Sequence, residues 1–431
     1  MTAFTVGLPK TQDKKGLSGA RFFLERYGVS YELYELMDDF ENCPVILVPS
    51  FENIDRTKLF AYLNNSGKAL LCGTSEEIKN SVSIPLSLFH LIYDRLHEKY
   101  EKISKPSKLI NWSLTLYNIT PDLIKAPFYQ QVRLIRKKIG SKRKVHTTWP
   151  ADNTIDNWMQ ILKESLDILV PERSSVPLWP PPFKAAFVMT HDVDEKPGEE
   201  IYQITKIEKK HRILSTWNFI ARSPRYKLEP SMLRELSAEG FEIGCHGLYH
   251  DRKFSSISAK ERKLRVAGAK KIIEDALGKE VSGFRTPLLD RTDDLWTILA
   301  ESGFSYDSSY PDVDHLTTTR YGMGVCTNLP YTTLPYLVEL PVTAPQDVEL
   351  FIDKRLSEKE ALLFWQDKWN KVIDGRGLIV LISHPHFLKE KKRLDMYSNL
   401  LEFFTQKKDV WITTAGSIAR WWQQRASYKI T

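Results

Sequence analysis

Phe187-Val188-Met189-Thr190-His191-Asp192-Val193-Asp194 runs from an apolar stretch straight into a pair of carboxylates. Three other stretches have the same build. Phe241-Glu242-Ile243-Gly244-Cys245 leads into His246-Gly247-Leu248-Tyr249-His250, and Val281-Ser282-Gly283-Phe284 leads into Arg285-Thr286-Pro287. Leu378-Ile379-Val380-Leu381-Ile382-Ser383 leads into His384-Pro385-His386. Short apolar runs bounded by polar residues read as buried strands, and parallel strands ringed by helices deliver the side chains at their carboxyl ends to one face. Polar clusters at all of these strand ends therefore predict one shared pocket containing carboxylates, histidines and an arginine.

The elements around these strands agree with that reading. Helical spacing is expected at 232–238, 259–277, 293–301, 358–373 and 395–405, and a last strand at 410–413 precedes a helix carrying Trp421 and Trp422. Alternation over roughly 250 residues matches the size of a (β/α) barrel. The fold class is α/β, with this barrel over residues 183–431. Residues 1–105 alternate strand and helix at a spacing that suggests a smaller α/β domain with an open parallel sheet. Residues 106–182 read as a helical, basic segment followed by a linker. Val176-Pro177-Leu178-Trp179-Pro180-Pro181-Pro182 excludes helix and favours an extended, stiff hinge.

Bulk properties exclude several classes. The 431 residues are 42% hydrophobic and 27% charged, an ordinary globular composition. The net charge of +7 is too mild to indicate nucleic acid. Basic residues do concentrate at Arg133, Arg136, Lys137, Lys138, Lys142, Arg143 and Lys144, either as a solvated face or as a patch for an anionic glycan, nucleotide-linked sugar or lipid headgroup. Cys43, Cys72, Cys245 and Cys326 lack CxxC spacing and read as buried thiols of a reducing compartment. No run of about 18 apolar residues and no secretory leader pattern occurs, so a soluble, cytoplasmic protein without an integral membrane segment is expected. A glycan it modifies would then be an intracellular precursor.

The pocket residues suggest chemistry. Asp192 and Asp194 are two apart and point the same way along an extended chain. Two like charges together are unfavourable unless a cation or proton separates them. A metal would satisfy one carboxylate and leave the other for proton transfer. His246 and His250, four apart, can reach one ion from one face of a helical turn. Two histidines, one carboxylate and an open fourth position describe a catalytic zinc-type site. His384 or His386 suits the acid that protonates a leaving group, and Arg285 can hold the catalytic carboxylate ionised. His191 is open between a ligand and an outward-facing role. Tyr249, Trp217 and Tyr310, with His386, are candidates for contacting substrate.

These residues resemble the polysaccharide deacetylase (NodB-homology) family over about 183–425. The family's Thr-Phe-Asp-Asp opening corresponds to Thr190-His191-Asp192-Val193-Asp194, with Val193 separating aspartates that are usually adjacent. Its His-x-x-x-His motif is His246 to His250, and its arginine-proline motif is Arg285-Thr286-Pro287. Its aspartate motif looks like Tyr306-Asp307-Ser308-Ser309, and its Leu-x-His lies in Leu381-Ile382-Ser383-His384. The resemblance implies a distorted (β/α) barrel. It implies that Asp192 is the base, that Asp194, His246 and His250 bind Zn2+ or another divalent ion, and that Arg285 orients the base. It also implies that Asp307 tunes His384, the acid. The implied reaction is hydrolysis of an N-acetyl or related acyl group from an acetylated sugar, nucleotide-sugar or glycan precursor. Hydrolysis of a non-sugar or cyclic amide, or glycan binding without catalysis, are the alternatives.

Overall fold

A computed structural model describes residues 5–9, 13–34, 43–98, 154–171, 176–251, 253–312 and 324–427. The basic run from Arg133 to Lys144 lies outside them. The first sheet comprises β1 (Thr5–Pro9), β2 (Ser30–Tyr34), β3 (Val45–Val48), β4 (Ala69–Cys72) and β5 (Ser81–Ile84) in the order β2-β1-β3-β4-β5. Every neighbouring pair is parallel, as the alternation of periods predicts. Ile46, Val48, Ala69 and Leu71 pack on helix α2 (Arg56–Asn64). Val45, Leu47, Leu70 and Cys72 join the core on the other face. That face is covered by α1 (Lys14–Arg26), α3 (Leu88–Leu96) and α4 (Thr154–Leu169). Burial on both faces is why these strands read as unbroken apolar runs. Helix α4, expected in the linking segment, packs against β4 and β5 and so is part of this unit.

The second sheet starts with β6 (Ala185–Val193), β7 (Thr216–Phe219), β8 (Glu242–Cys245), β9 (Gly283–Phe284) and β10 (Tyr306–Asp307). It continues with β11 (Tyr331–Leu334), β12 (Leu337–Glu339), β13 (Leu378–Ser383) and β14 (Val410–Ile412). The order is β11-β12-β10-β9-β8-β7-β6-β13, with β14 beside the start of β6, and the β11–β12 pair is antiparallel. Its helices are α5 (Glu199–Lys210), α6 (Pro230–Ala238), α7 (Ala259–Leu277), α8 (Leu295–Glu301), α9 (Glu358–Asp374), α10 (Lys391–Thr405) and α11 (Ala415–Ser427). Helix α5 is absent from the sequence expectations. Its apolar pattern is thin: Glu200 and Glu208 are buried beside Ile201, Ile204 and Thr205, while Tyr202 is exposed among charged residues.

The sheet curls, and irregular backbone after β12 closes it. Val342 N donates to Tyr310 O at 2.8 Å, and Ala344 N donates to Val380 O at 3.1 Å. This is a distorted (β/α) barrel. Side-chain period sorts its faces. Ala186, Val188, Tyr306, Val338, Leu340, Leu378 and Val380 share the inner core, whereas Ala185, Phe187, Met189, Ile379 and Leu381 join the core beneath the helices. At the amino ends of the strands Tyr306 Oη donates to Glu242 Oε1 (3.1 Å), and Gly416 N at the start of α11 donates to Glu242 Oε2 (2.8 Å). Helix α11 thus closes the floor.

The proline-rich segment, expected as an extended, stiff hinge, is tied to both sheet units by hydrogen bonds. Val176 N donates to Gly28 O (3.1 Å), Trp421 Nε1 to Leu178 O (3.0 Å), and Trp179 Nε1 to Arg376 O (2.9 Å). Arg425 on α11 donates to Pro177 O (2.9 Å), to Arg26 O (2.6 Å) and to Glu25 O, binding the carboxyl end of α1. A cation there also complements the helix dipole. All four cysteines are free and buried. No helix among the described residues is long and apolar enough to cross a membrane.

The inner face leaves no room at Gly283, where a Cβ would sit 2.0 Å from the Tyr306 ring. Gly283→Ala is expected to lose about 1–3 kcal/mol of stability through overpacking, measured by denaturant unfolding.

Candidate metal centre and catalytic face

The inner residues at the carboxyl ends of the strands form the site. The period that puts Ala186 and Val188 inside carries Thr190 and Asp192 inside as well, and Asp194 follows just past the strand. By the same period His246 follows Gly244 on β8, Arg285 follows Gly283 on β9, and His384 follows Ile382 on β13.

Asp194 is the hub. Its Oδ1 lies 3.3 Å from His246 Nε2, and its Oδ2 lies 3.2 Å from His250 Nε2 and 3.7 Å from His384 Nε2. One ligand atom from each of Asp194, His246 and His250 lies within 4.8 Å of the others. Two details show that these residues fit a divalent ion. Asp194 Oδ1 is buried and makes no well-formed hydrogen bond. His246 Nδ1 donates to Arg285 O at 2.9 Å, which fixes the tautomer and leaves the Nε2 lone pair facing Asp194. Two imidazoles and a carboxylate are a donor set suited to zinc.

Asp192 stands beside the hub. Its Oδ1 accepts from Arg285 Nη1 (3.0 Å) and Asn218 Nδ2 (2.8 Å), and its Oδ2 lies 3.7 Å from His246 Nε2. Burial opposes its charge, but Arg285 and His246 outweigh that and hold the carboxyl below its ordinary range. Asp194 is held well below that range: burial opposes its charge, but His250, His246 and His384 together outweigh it. Arg285 is 1% exposed. It also donates to Thr190 Oγ1 (2.7 Å), Ser308 O (2.8 Å) and Ser308 Oγ (2.8 Å), so its fork cannot swing away.

His384 faces Asp194 from β13. Its Nδ1 lies 2.6 Å from Asp347 Oδ1, and its backbone N donates to Asp347 Oδ2 at 2.6 Å. Burial disfavours charge on the ring, yet Asp347, with Asp194 and Asp192 behind it, pushes it up to about 10. His386 is partly buried beside it, and its Nδ1 has no hydrogen-bond partner. Burial and the charge on His384 push His386 down to about 4, so it stands neutral.

Several expectations need correction. Asp307 does not touch His384. Tyr306 faces inward on β10, so Asp307 faces the helices, where Ser309 Oγ donates to it at 2.6 Å. There it neighbours Glu339, and burial pushes Asp307 up to about 6 and Glu339 well above its ordinary value. The carboxylate at His384 is Asp347, which caps the helical turn Val348–Asp353, outside every strand-end motif. Trp217 also faces outward, 0% exposed and 4.1 Å from the His191 ring. Tyr310 is buried against Trp296 at 4.6 Å. Neither ring offers substrate a face. Tyr249 is half-buried, with the Arg265 guanidinium 5.1 Å from its ring centre. His191 points into the helix layer, where its Nε2 lies 2.8 Å from Glu208 Oε1. Asn218, absent from the expected site, shares the inward parity of Thr216, whose hydroxyl bonds Glu242 inside the barrel.

The fold and site define a (β/α) barrel with a His-His-Asp cluster at the carboxyl face of its strands. Residues 184–306 match the polysaccharide deacetylase family model and are a domain of that family. A stretch of 111 residues is 26% identical to the peptidoglycan deacetylase of Helicobacter pylori (strain ATCC 700392 / 26695), covering 25% of this chain and 36% of that protein. The chain thus spans about a third of that relative's length. Among solved structures, Puue allantoinase matches with a TM-score of 0.50 at 17% identity, covering 60% of this chain and 96% of that one. A Mycobacterium smegmatis protein assigned to the polysaccharide deacetylases matches with a TM-score of 0.48 at 20% identity, covering 57% of this chain and 93% of that one. The likeness to the allantoinase supports the barrel fold.

Purified protein dialysed against zinc is expected to retain about one divalent ion per chain, and His246→Ala far less. Equal metal content in both, measured by elemental analysis, would refute the assigned centre.

Proposed function

We propose that this chain is a metal-dependent hydrolase that removes an N-acetyl or related acyl group from an amino sugar in a glycan or glycan precursor. The observation that carries this reading is the division of labour between the aspartates. Asp194 faces two imidazoles, whereas Asp192 is held by Arg285 and Asn218 instead.

Asp194, His246 and His250 would hold the ion. Its chemistry is Lewis acidity, which makes water more acidic and polarises an acyl carbonyl. Asp192 then acts as the base. Both hydrogen bonds fall on its Oδ1, which leaves Oδ2 to take a proton from water attacking the carbonyl carbon. His384 acts as the acid, with Nδ1 engaged by Asp347 and Nε2 turned toward Asp194. As the carbon–nitrogen bond breaks, that Nε2 proton passes to the departing nitrogen, giving a free amine and a carboxylic acid. The 184–306 family match and the peptidoglycan deacetylase relative support a carbohydrate substrate.

A non-sugar amide or cyclic amide is the second reading. The likeness to an allantoinase supports it, as does the burial of Trp217 and Tyr310, which removes two stacking surfaces for a sugar ring.

The deciding experiment incubates the metal-loaded chain with free, nucleotide-linked and polymeric N-acetylated amino sugars, alongside linear and cyclic amides. Acetate release from a sugar is expected, and Asp192→Asn should keep its metal while losing about 10²–10⁴-fold in turnover. Release from amides alone would transfer the proposal to the second reading. Asp347→Asn tests the acid separately. Activity fails as pH rises through the His384 pKa, and without the Asp347 charge that pKa falls. The alkaline limb of kcat/KM should therefore move to lower pH. An unmoved limb would remove His384 from the acid role.

A further inference from the structure

The turn after Arg285-Thr286 bridges the two halves of the site. Pro287 abuts the ligand loop, since a Cβ on Gly247 would sit 3.0 Å from Pro287 Cδ. Leu289 packs with Val342 and with Ile382, two residues before His384. The turn therefore forms a wall between the histidine ligands and the acid. It holds Leu288 out to solvent, 37% exposed.

This wall is not self-supporting. Leu288 and Leu289 both have left-handed backbones, with φ of 61° and 52°. Residues with side chains adopt that conformation only where their surroundings fix it. Arg291 supplies the fixation, with Nη1 donating to Leu289 O at 2.9 Å and the guanidinium 5.1 Å from the Tyr310 ring centre. Arg291 is fixed in turn by Glu98, which follows α3 of the first-sheet unit. Its Oε2 accepts from Nε at 2.9 Å and its Oε1 from Nη2 at 2.8 Å, and Oε1 also accepts from Gly324 N at 3.0 Å. The two side chains are 3% and 1% exposed. The carboxylate that steadies this wall therefore comes from outside the 184–306 domain.

We propose that Glu98 and Arg291 are positioning residues, through which the N-terminal sheet unit sets the wall of the catalytic pocket. This rests on the hydrolase reading of the site. Glu98→Gln keeps the shape but removes the charge, leaving a buried guanidinium without its counterion.

The test uses the full, metal-loaded chain. Hydrogen exchange is followed at the Leu289 and Asp290 amides, which donate to Thr286 O and Pro287 O, alongside kcat/KM on the best acylated substrate and metal content. In Glu98→Gln, exchange should quicken at these two amides while both sheets keep their protection. The kcat/KM should fall about 10–100-fold, as misplacement of a wall predicts, with metal content unchanged. If that variant does not fold, Arg291→Lys should give the same local pattern, because lysine keeps the charge but loses the fork. Wild-type exchange and kcat/KM would overturn the proposal, and so would protection lost evenly across both sheets. If the wild type releases acyl groups from nothing tested, the hydrolase reading fails, while the exchange pattern still decides the clamp.

Discussion

The two-residue side-chain period of a strand buried on both faces is the constraint on which the site depends. On β6 it assigns Ala186, Val188, Thr190 and Asp192 to the barrel interior and Phe187, Met189 and His191 to the helix layer. A slip of one residue would turn Asp192 into the helices and bring His191 inward. The same parity explains the tolerance of Val193 between the two aspartates. With that spacer both carboxylates lie on the inner side, Asp192 at the last inward position of the strand and Asp194 beyond its end.

Three carboxylates meet at one end of the barrel, an arrangement that stands only because each has its own positive partner. Asp192 has Arg285, Asp194 has the imidazoles of His246 and His250, and Asp347 has His384. Removing one partner of a buried pair costs about 3–5 kcal/mol, since the remaining charge is stranded away from water. The charges also hold one another in geometry. Arg285 ties Asp192 to Ser308 of the neighbouring segment, and its own backbone carbonyl sets the His246 tautomer. A single residue therefore orients both Asp192, the proposed base, and His246, a proposed ligand.

What was legible in the sequence was local. Apolar runs ending in polar clusters located β6, β8, β9 and β13, and helix α7 spans the residues that its spacing indicates. Pairings set by tertiary structure were not legible. Asp347 lies 37 residues before His384, at the cap of a helical turn with no strand to announce it. Asp307 sits in a motif-like context, but its two-residue strand gives too little pattern to reveal which face it takes. Trp217 lies on a four-residue strand whose positions are all buried, so burial could not separate inward from outward. Glu98 reaches a partner 193 residues away, a distance no spacing rule covers.

The sealed floor of the barrel has a consequence for traffic. With Tyr306, Glu242 and the start of α11 locked together at one end, and side chains filling the core above them, the described residues leave no through-channel. Anything that reaches the cluster arrives from the carboxyl side and must depart by the same doorway. Under the proposed hydrolysis, the two fragments would share one exit, so the bulkier of them would detain the smaller.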